Sequence, residues 1–212
     1  MYTGIVQACV PVVRVVSKPG LKTYAVELPS ALAAGLEAGA SVSIDGVCQT
    51  VVGIAGAQVA FDAMEETLRK TTIGTIAEGR QVNVERSARS GDEIGGHALA
   101  GHVRGTAEIV DVRTSENNRA MTFRVPPAWL SYVFPQGFIA LDGASLTIVD
   151  VDREQATFRV AFIPETLNRT TFGRKAAGDR VNVEIDSRTQ IIVDTVERVL
   201  AQMAITPRPA PP

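Results

Sequence analysis

The chain has 212 residues, of which 45% are hydrophobic and 21% are charged. This balance is typical of folded globular proteins and argues against intrinsic disorder, and the length allows two compact domains. Lys and Arg number 21 against 23 for Asp and Glu, so the sequence offers no basic field for nucleic acid and we expect no such partner.

The N-terminal stretch MYTGIVQACVPVVRVV has no cationic segment ahead of an apolar run and no small-residue cleavage site. No uncharged stretch approaches the ~20 residues that a membrane helix requires. We therefore expect a cytoplasmic protein without a membrane partner. The two cysteines, Cys9 and Cys48, belong to no metal-ligand spacing, so we expect neither a disulfide scaffold nor a metal site.

The sequence contains an internal repeat. GVCQTVV, which begins at Gly46, aligns with GASLTIV, which begins at Gly143, at an offset of 97 positions. EETLRKTTIG from Glu65 aligns with PETLNRTTFG from Pro164 at an offset of 99, and a two-residue insertion near 152–155 accounts for the change. The shared order and spacing of these matches indicate two copies of one module.

Each copy is predicted to be mainly β. Segments such as TYAVELP, SVSIDGV and QVNVERS cluster Val, Ile and Tyr between Gly, Asp and Pro residues, as short strands do. Many short strands in about ninety residues indicate a small closed barrel or a sandwich. Only short helices fit between them, in SALAAGLEAG, with Ser30 as its N-cap, and in PPAWLSYVFPQG. We assign residues 1–89 to the first module and residues 90–186 to the second.

The periodicity changes after the second module. SRTQIIVDTVERVLAQMA carries apolar residues at positions 192, 196, 199, 200 and 203, which predicts an amphipathic helix over 187–203. Ser187 and Gln190 match a capping box at its start. The apolar stripe either packs on its own chain or contacts other subunits. The Pro-rich tail (204–212) is expected to be disordered or extended.

These motifs resemble the riboflavin synthases of the α-subunit type over residues 1–203. The matching stretches are MYTGIVQ, GASVSIDGVCQTV, DAMEETLRKTTIG, SGDEIGGHALAGHVRGTAEI, TSENNR, GFIALDGASLTIV, AFIPETLNRTTFG and VNVEIDSRTQ. The resemblance implies a mainly β fold of two tandem six-stranded Greek-key barrels followed by a C-terminal α-helix.

The same resemblance implies a cofactor-free dismutation. Two molecules of 6,7-dimethyl-8-ribityllumazine give riboflavin and 5-amino-6-(D-ribitylamino)uracil. It also implies a homotrimer held by the C-terminal helices, an active site between the N-terminal barrel of one subunit and the C-terminal barrel of its neighbour, and association with lumazine synthase. The duplication fits a reaction that consumes two copies of one substrate.

Three residues are candidates for catalysis. His102 stands where the first copy has Ile5. Histidine is the side-chain type suited to acid–base catalysis near neutral pH, so we assign His102 this work; the alternative is a structural histidine. Cys48 stands where the second copy has Ser145, and the resemblance implies Cys48 and Ser41 in the half that activates the acceptor. The Cys48 thiol is a candidate nucleophile at C7 of the lumazine, with water or a ribityl hydroxyl as the alternatives.

Recognition of a neutral ring and a ribityl chain calls for backbone amides and hydroxyls in an apolar pocket. In the first copy the candidate substrate-binding residues are Gly4, Ile5, Val6, Cys48, Gln49, Thr50, Asp62, Met64, Glu66 and Thr67. In the second copy they are Gly101, His102, Val103, Gln136, Ser145, Leu146, Thr147, Ile163, Pro164, Glu165 and Thr166. The threonine pairs at 71–72 and 170–171 either contact ligand or cap helices and turns.

Several other residues bear on these assignments. We interpret His97 and Cys9 as structural. The family commonly has Phe where this chain has Tyr2, Leu where it has Gln49, and Lys where it has Gln136. If the Gln49 amide is buried, it needs a hydrogen-bond partner that Leu would not need. A non-catalytic lumazine- or flavin-binding protein of the same family is the alternative function. The intact SLT and PETLNRTT motifs of the second copy favour the enzyme.

Overall fold

The computed structural model describes residues 1–116 and 118–205 and contains two closed, antiparallel β-barrels. The strands of the first barrel are β1 (Ala8–Lys18), β2 (Leu21–Glu27), β3 (Ser41–Ile44), β4 (Val47–Ala55), β5 (Gln58–Met64) and β6 (Gln81–Arg86). Those of the second are β7 (Gly105–Ser115), β8 (Asn118–Arg124), β9 (Phe138–Leu141), β10 (Ala144–Asp152), β11 (Thr157–Phe162) and β12 (Arg180–Ile185).

Both barrels have the same strand order. The first runs β1-β2-β5-β4-β3-β6 and closes through β6 and β1, and the second repeats this order with β7 to β12. The two-barrel fold expected from the repeat is confirmed. The inserted residues lie in the β10–β11 turn, which spans 153–156, whereas the β4–β5 turn spans only 56–57.

The barrel interiors explain the apolar alternation in the sequence. Along β4, Val47, Gln49 and Val51 are buried, and the residues between them face outward. The interior of the second barrel contains the stacked rings of Phe123 and Phe158, with centroids 5.4 Å apart. Gln49 is therefore a polar side chain inside an apolar core, and it has partners: the Tyr24 hydroxyl donates to Gln49 Oε1 (3.2 Å), and Gln49 Nε2 donates to the Cys48 carbonyl (3.0 Å).

Two tight turns hold the barrels together. Asp45 and Gly46 join β3 to β4 with φ angles of 45° and 79°, and Asp142 and Gly143 join β9 to β10 with φ angles of 41° and 82°. A positive φ at both turn residues is the type I′ pattern that suits a two-residue hairpin loop. A Cβ on Gly46 would lie 2.6 Å from the backbone nitrogen of Gly143, so the two turns can meet only because both carry glycine.

The helices are short except at the C-terminus. They are α1 (Ser30–Ala33), α2 (Glu65–Lys70), α3 (Pro164–Arg169) and α4 (Ser187–Ile205), with 3₁₀ turns at Thr72–Thr75, Pro127–Tyr132 and Thr171–Gly173. Among the described residues, no helix has the length and hydropathy needed to cross a membrane.

Two predicted caps are wrong. The N-cap of α1 is Pro29 rather than Ser30, because the helix starts one residue earlier than an N-cap at Ser30 implies. Helix α4 begins at Ser187 as expected, but Asp186 caps it: the Asp186 carboxylate accepts from the Thr189 amide (2.9 Å) and the Thr189 hydroxyl (2.6 Å). A carboxylate at this position also interacts favourably with the helix dipole. Helix α4 continues to Ile205, and the predicted tail from residue 206 onward lies outside the described residues.

Candidate active site

A cavity of about 260 Å³ lies on the outer wall of the first barrel, beside β4 and α2. The residues that line it come from both copies of the module: Val47, Cys48, Glu66, Thr67, Lys70, Thr71, Gly101, His102 and Val103. The structure therefore brings together Cys48, His102 and several of the candidate substrate-binding residues. Lys70 was not a candidate; it forms an ion pair with Glu66 (2.7 Å) at the cavity wall.

The register of β3 and β4 sets the position of the candidate catalytic residues. Ser43 pairs with Cys48 and Ser41 pairs with Thr50, and opposed residues in a sheet share one face. Because Val42 and Gln49 point into the barrel, this shared face is the outer one. Ser41 is thus a diagonal neighbour of Cys48 on the outside of the barrel, two residues farther along the strands.

The segment that carries His102 crosses from the second barrel to the first. The Glu184 carboxylate accepts from the amides of Ala100 (2.7 Å) and Gly101 (2.9 Å), and the Gly101 carbonyl in turn accepts from the Cys48 amide (2.9 Å). Gly101 has a φ of +77°, and a Cβ there would lie 2.7 Å from Cys48 Cβ. Glycine is needed for this approach, and it brings His102 to the cavity edge. Val103 then packs against the first core.

The N-terminal segment makes the reciprocal crossing. Glu85 accepts from the amides of Thr3 (2.6 Å) and Gly4 (3.1 Å), and the Gly4 carbonyl accepts from the Ser145 amide (2.8 Å). Val6 packs in the core of the second barrel. The outer surface around Cys48 and the outer surface around Ser145 therefore each combine residues of both copies. The sequence repeat by itself assigns each candidate binding residue to one copy only.

The carboxyl groups that anchor these crossings are poorly solvated. Burial raises the pKa of Glu85 and of Glu184, and the backbone amides that each accepts from oppose this shift. Both glutamates end the VNVE motif that begins at Val82 and again at Val181, so the repeat marks them as equivalent positions. Their role is to fix the approach of Gly4 to Ser145 and of Gly101 to Cys48.

Cys48 and Ser145 occupy equivalent positions but have different partners. The Tyr2 hydroxyl donates to Cys48 Sγ (3.2 Å), while Ser145 Oγ lies 2.6 Å from Nδ1 of His97. The His97 ring stacks on Phe138, and burial lowers the pKa of His97, an effect that the Asp186 carboxylate partly offsets. His97, interpreted from sequence as structural, is thus a direct partner of a candidate substrate-binding residue.

The remaining candidates have varied positions. Thr50 and Thr147 are exposed on the outer faces of β4 and β10, and Asp62 on β5 accepts from the Thr23 hydroxyl (2.6 Å). Met64 and Ile163 are the exposed N-cap residues of α2 and α3. The other candidates of the second copy follow in α3: Pro164, Glu165 and Thr166.

The side chains of some candidates are buried in the barrel cores rather than on the outer faces, as that of Val6 is. Leu146 lies in the core of the second barrel, and Gln49 lies inside the first. Gln136 is exposed but has a φ of 64°, and its amide donates to the Ile148 carbonyl (2.8 Å), which ties this loop to β10. The side chains of Gln49 and Leu146 therefore do not reach the outer faces of β4 and β10.

The threonine pairs follow the capping interpretation. The Thr71 hydroxyl accepts from the Ile73 amide (3.2 Å), and the Thr170 hydroxyl accepts from the Phe172 amide (3.3 Å). Each therefore caps the 3₁₀ turn that follows it.

Comparison with known proteins gives a consistent result. The model of the Lumazine binding domain matches residues 3–87 and again residues 100–186. A riboflavin synthase of Escherichia coli is 52% identical over 202 residues, covering 95% of this chain and 94% of that protein, and one of Chlamydia pneumoniae is 44% identical over 201 residues, covering 95% and 98%.

Solved structures support the same fold. LumP complexed with riboflavin superimposes with a TM-score of 0.81 at 23% identity, covering 87% of this chain and 99% of that chain. LumP complexed with 6,7-dimethyl-8-(1'-D-ribityl) lumazine gives a TM-score of 0.80 at 23% identity, covering 88% and 100%. The much higher identity to curated synthases does not favour a non-catalytic binding protein. The chain belongs to the riboflavin synthase family, and both of its halves are lumazine-binding domains.

Proposed function

We propose that this enzyme dismutates two molecules of 6,7-dimethyl-8-ribityllumazine to riboflavin and 5-amino-6-(D-ribitylamino)uracil without a cofactor. One observation carries the proposal: the duplicated module presents two equivalent outer surfaces whose central residues differ, with Cys48 at one and Ser145 at the other. Two similar surfaces suit two identical substrates. Unequal residues suit a reaction in which one substrate donates four carbon atoms and the other accepts them.

The donor must lose a proton from its C7 methyl group. His102, at the edge of the first cavity, is the residue we propose for this transfer, because imidazole accepts and releases protons near neutral pH. The proton removed from the methyl group returns to the reacting pair when the pyrimidine product is released.

The acceptor is activated by addition at C7. We propose that the Cys48 thiolate forms a bond from sulfur to C7 while the displaced π electrons enter the conjugated pyrimidine ring. When the carbon–carbon bond between the two substrates has formed, the carbon–sulfur bond breaks and the sulfur leaves with its electron pair. Ser41, a diagonal neighbour of Cys48, is proposed to orient the acceptor through its hydroxyl group.

Binding of the ring and the ribityl chain is proposed to use neutral polar groups around each surface. The related fold of LumP has been solved with riboflavin and with the lumazine, which supports the same ligands here. In the first surface these groups come from the end of β5 and the start of α2, including Asp62, Glu66 and Thr67. In the second they come from β10 and the start of α3, including Thr147 and Thr166.

We propose a homotrimer assembled through α4. The helix is joined to the second barrel by its Asp186 cap and by a hydrogen bond from the Tyr132 hydroxyl to Asp194 (2.6 Å). Its apolar stripe points outward, and Ile192 and Leu200 are 64% and 60% exposed. A stripe of this kind on a surface helix is a typical subunit contact.

A cytoplasmic location and association with lumazine synthase belong to the same proposal. Both cysteines are free thiols, and Cys48 can act as a nucleophile only where it stays reduced, as in the cytosol. Lumazine synthase would deliver the substrate directly.

The experiment is to incubate the purified full-length chain with 6,7-dimethyl-8-ribityllumazine alone and to quantify all three compounds by chromatography. We expect two lumazines consumed for each riboflavin and each pyrimidine formed. Cys9→Ser is the matched control, because it changes the second cysteine of the chain, which lies on β1, and it should keep this turnover. Binding of the lumazine without flavin formation would overturn the proposal in favour of a binding protein.

A further inference from the structure

Tyr2 is enclosed next to Cys48 and Gly101, two of the residues that line the cavity. Its side chain is 1% exposed, and its backbone exchanges hydrogen bonds with Leu99 (2.8 and 2.9 Å). A Cβ on Gly101 would lie 2.9 Å from Cε2 of Tyr2 and 2.7 Å from Cβ of Cys48, so the Tyr2 ring fits against Cys48 only because Gly101 lacks a side chain. The Tyr2 ring is thus held firmly, with its hydroxyl aimed at Cys48 Sγ at 3.2 Å.

The direction of this hydrogen bond is set by its surroundings. Burial raises the pKa of Tyr2 far above its usual range, and the hydrogen bond to Cys48 and the nearby Glu85 and Glu184 carboxylates add to the shift. The phenol therefore keeps its proton and acts as the donor. A hydrogen bond to an ionised acceptor is roughly twice as strong as one to a neutral acceptor, so a donor held here favours thiolate over thiol.

We propose that Tyr2 is a positioning residue for the reaction, whose hydroxyl orients Cys48 Sγ toward the cavity and stabilises its thiolate form. This inference rests on the proposed function, in which the Cys48 sulfur adds to C7 of a lumazine. Addition of the sulfur to C7 requires the thiolate, which is the form that a hydrogen bond from the Tyr2 hydroxyl favours. The equivalent Ser145 contacts His97 instead, so the arrangement distinguishes one surface from the other.

The test measures how the Tyr2 hydroxyl affects the ionisation of the Cys48 thiol. In a Cys9→Ser background, which leaves Cys48 as the single cysteine, the rate of iodoacetamide alkylation is followed by intact mass from pH 5 to pH 10. Tyr2→Phe keeps the ring and removes the hydroxyl. We expect the midpoint of the rate profile to move to higher pH by about one unit, with alkylation at pH 7 about tenfold slower.

Tyr24→Phe is the matched control, because Tyr24, in the core of the first barrel, is as buried as Tyr2 and loses a hydroxyl that bonds to Gln49 rather than to sulfur. Its alkylation profile should match that of the parent. A second variant, with 3,5-difluorotyrosine at position 2, strengthens the donor while keeping the packing, and it should move the midpoint to lower pH. Unchanged profiles in both Tyr2 variants would overturn the inference.

Turnover separates this inference from the proposed function. Tyr2→Phe should reduce kcat about tenfold at pH 7 with little change in KM, and higher pH should restore part of the loss. Full turnover in Cys48→Ala would contradict the proposed role of Cys48 as the nucleophile, whereas lumazine binding without flavin formation by the wild-type chain would contradict the proposed function. Altered turnover in Tyr2→Phe with an unchanged alkylation profile would leave the proposed function standing and would remove the role of the Tyr2 hydroxyl.

Discussion

Asn83 and Asn182 join the two barrels through reciprocal hydrogen bonds. Asn83 Nδ2 donates to the Asp142 carbonyl (2.9 Å), and Asn182 Nδ2 donates to the Asp45 carbonyl (2.7 Å). Each side-chain oxygen also accepts from a threonine amide of the opposite barrel, Thr171 or Thr72, at 2.8 Å. The two VNVE motifs therefore supply equivalent asparagines to the interface between the barrels, in addition to equivalent strands.

Replacing Asn83 or Asn182 with Ala should weaken this interface. Each substitution leaves a buried amide and a buried carbonyl of the other barrel without their partner, which costs ~1–3 kcal/mol for each such group. Urea unfolding measures the loss, and Asn168→Ala on the exposed face of α3 is the control. Equal stabilities of the Asn83 and Asn168 variants would contradict this role.

The Gln49–Tyr24 pair predicts a non-additive response. Gln49→Leu leaves the buried Tyr24 hydroxyl without its hydrogen-bond acceptor and should lower the free energy of unfolding by ~1–3 kcal/mol. Adding Tyr24→Phe removes the unpaired hydroxyl and should recover most of that loss. A double-mutant cycle from urea unfolding measures the coupling, and simply additive losses would show that the pair is not coupled.

The buried Asp45 carboxyl predicts a pH dependence of stability. Burial and the charge of Asp142 raise the pKa of Asp45 from 3.8 to about 7, against the opposing effect of Arg80. Between these values the folded chain binds more protons than the unfolded chain, so the free energy of unfolding falls as the pH rises from about 4 to about 7. Above pH 7 this contribution is constant.

Asp45→Asn should remove this dependence. The stability of the variant relative to wild type should grow from pH 4 to pH 7, by at most ~1.4 kcal/mol per unit, and then level off. The pH profile of unfolding, rather than the absolute difference, is the test, because Asn also loses the contact with Arg80. Asp92→Asn, at an exposed carboxylate, should show no such trend. A constant difference between Asp45→Asn and wild type would contradict the raised pKa.

The sequence predicted the architecture better than it predicted the site. The duplication of the barrel follows from motifs that occur in both copies of the module, and the start of α4 follows from the change in apolar periodicity after the second copy. The crossing of Gly4 to Ser145 and of Gly101 to Cys48 could not be predicted, because equivalent positions in a repeat do not indicate which barrel they contact.

The wrong helix caps and the unpredicted contact between His97 and Ser145 have similar causes. Ser187 and Asp186 both fit an N-cap, and only the geometry shows that the Asp186 carboxylate accepts from Thr189. His97 is separated from Ser145 by 48 positions, and no sequence pattern links them. A contact between two single side chains that are far apart in the sequence therefore could not be predicted from the sequence.

Assembly through α4 predicts a sensitivity to charge on its stripe. Val196→Glu places a carboxylate among the exposed apolar side chains and should convert the proposed trimer to smaller species, as should truncation after Asp186. Arg198→Glu is the control that should remain trimeric, because position 198 is rotated by about a third of a helical turn or more from the residues of the apolar stripe. Light scattering at micromolar concentration measures the mass. A monomeric wild-type chain would contradict the proposed assembly.

The most direct test of catalysis at the first surface compares single-turnover flavin formation with riboflavin affinity in Cys48→Ala and His102→Gln. Both residues are proposed to act on the transition state, so each substitution should reduce the rate by about 10²–10⁴-fold while riboflavin affinity stays near that of wild type. Cys48→Ser should be milder than Cys48→Ala if its hydroxyl adds in place of sulfur. Wild-type rates in both Cys48→Ala and His102→Gln would contradict the account and would show that the chemistry occurs elsewhere.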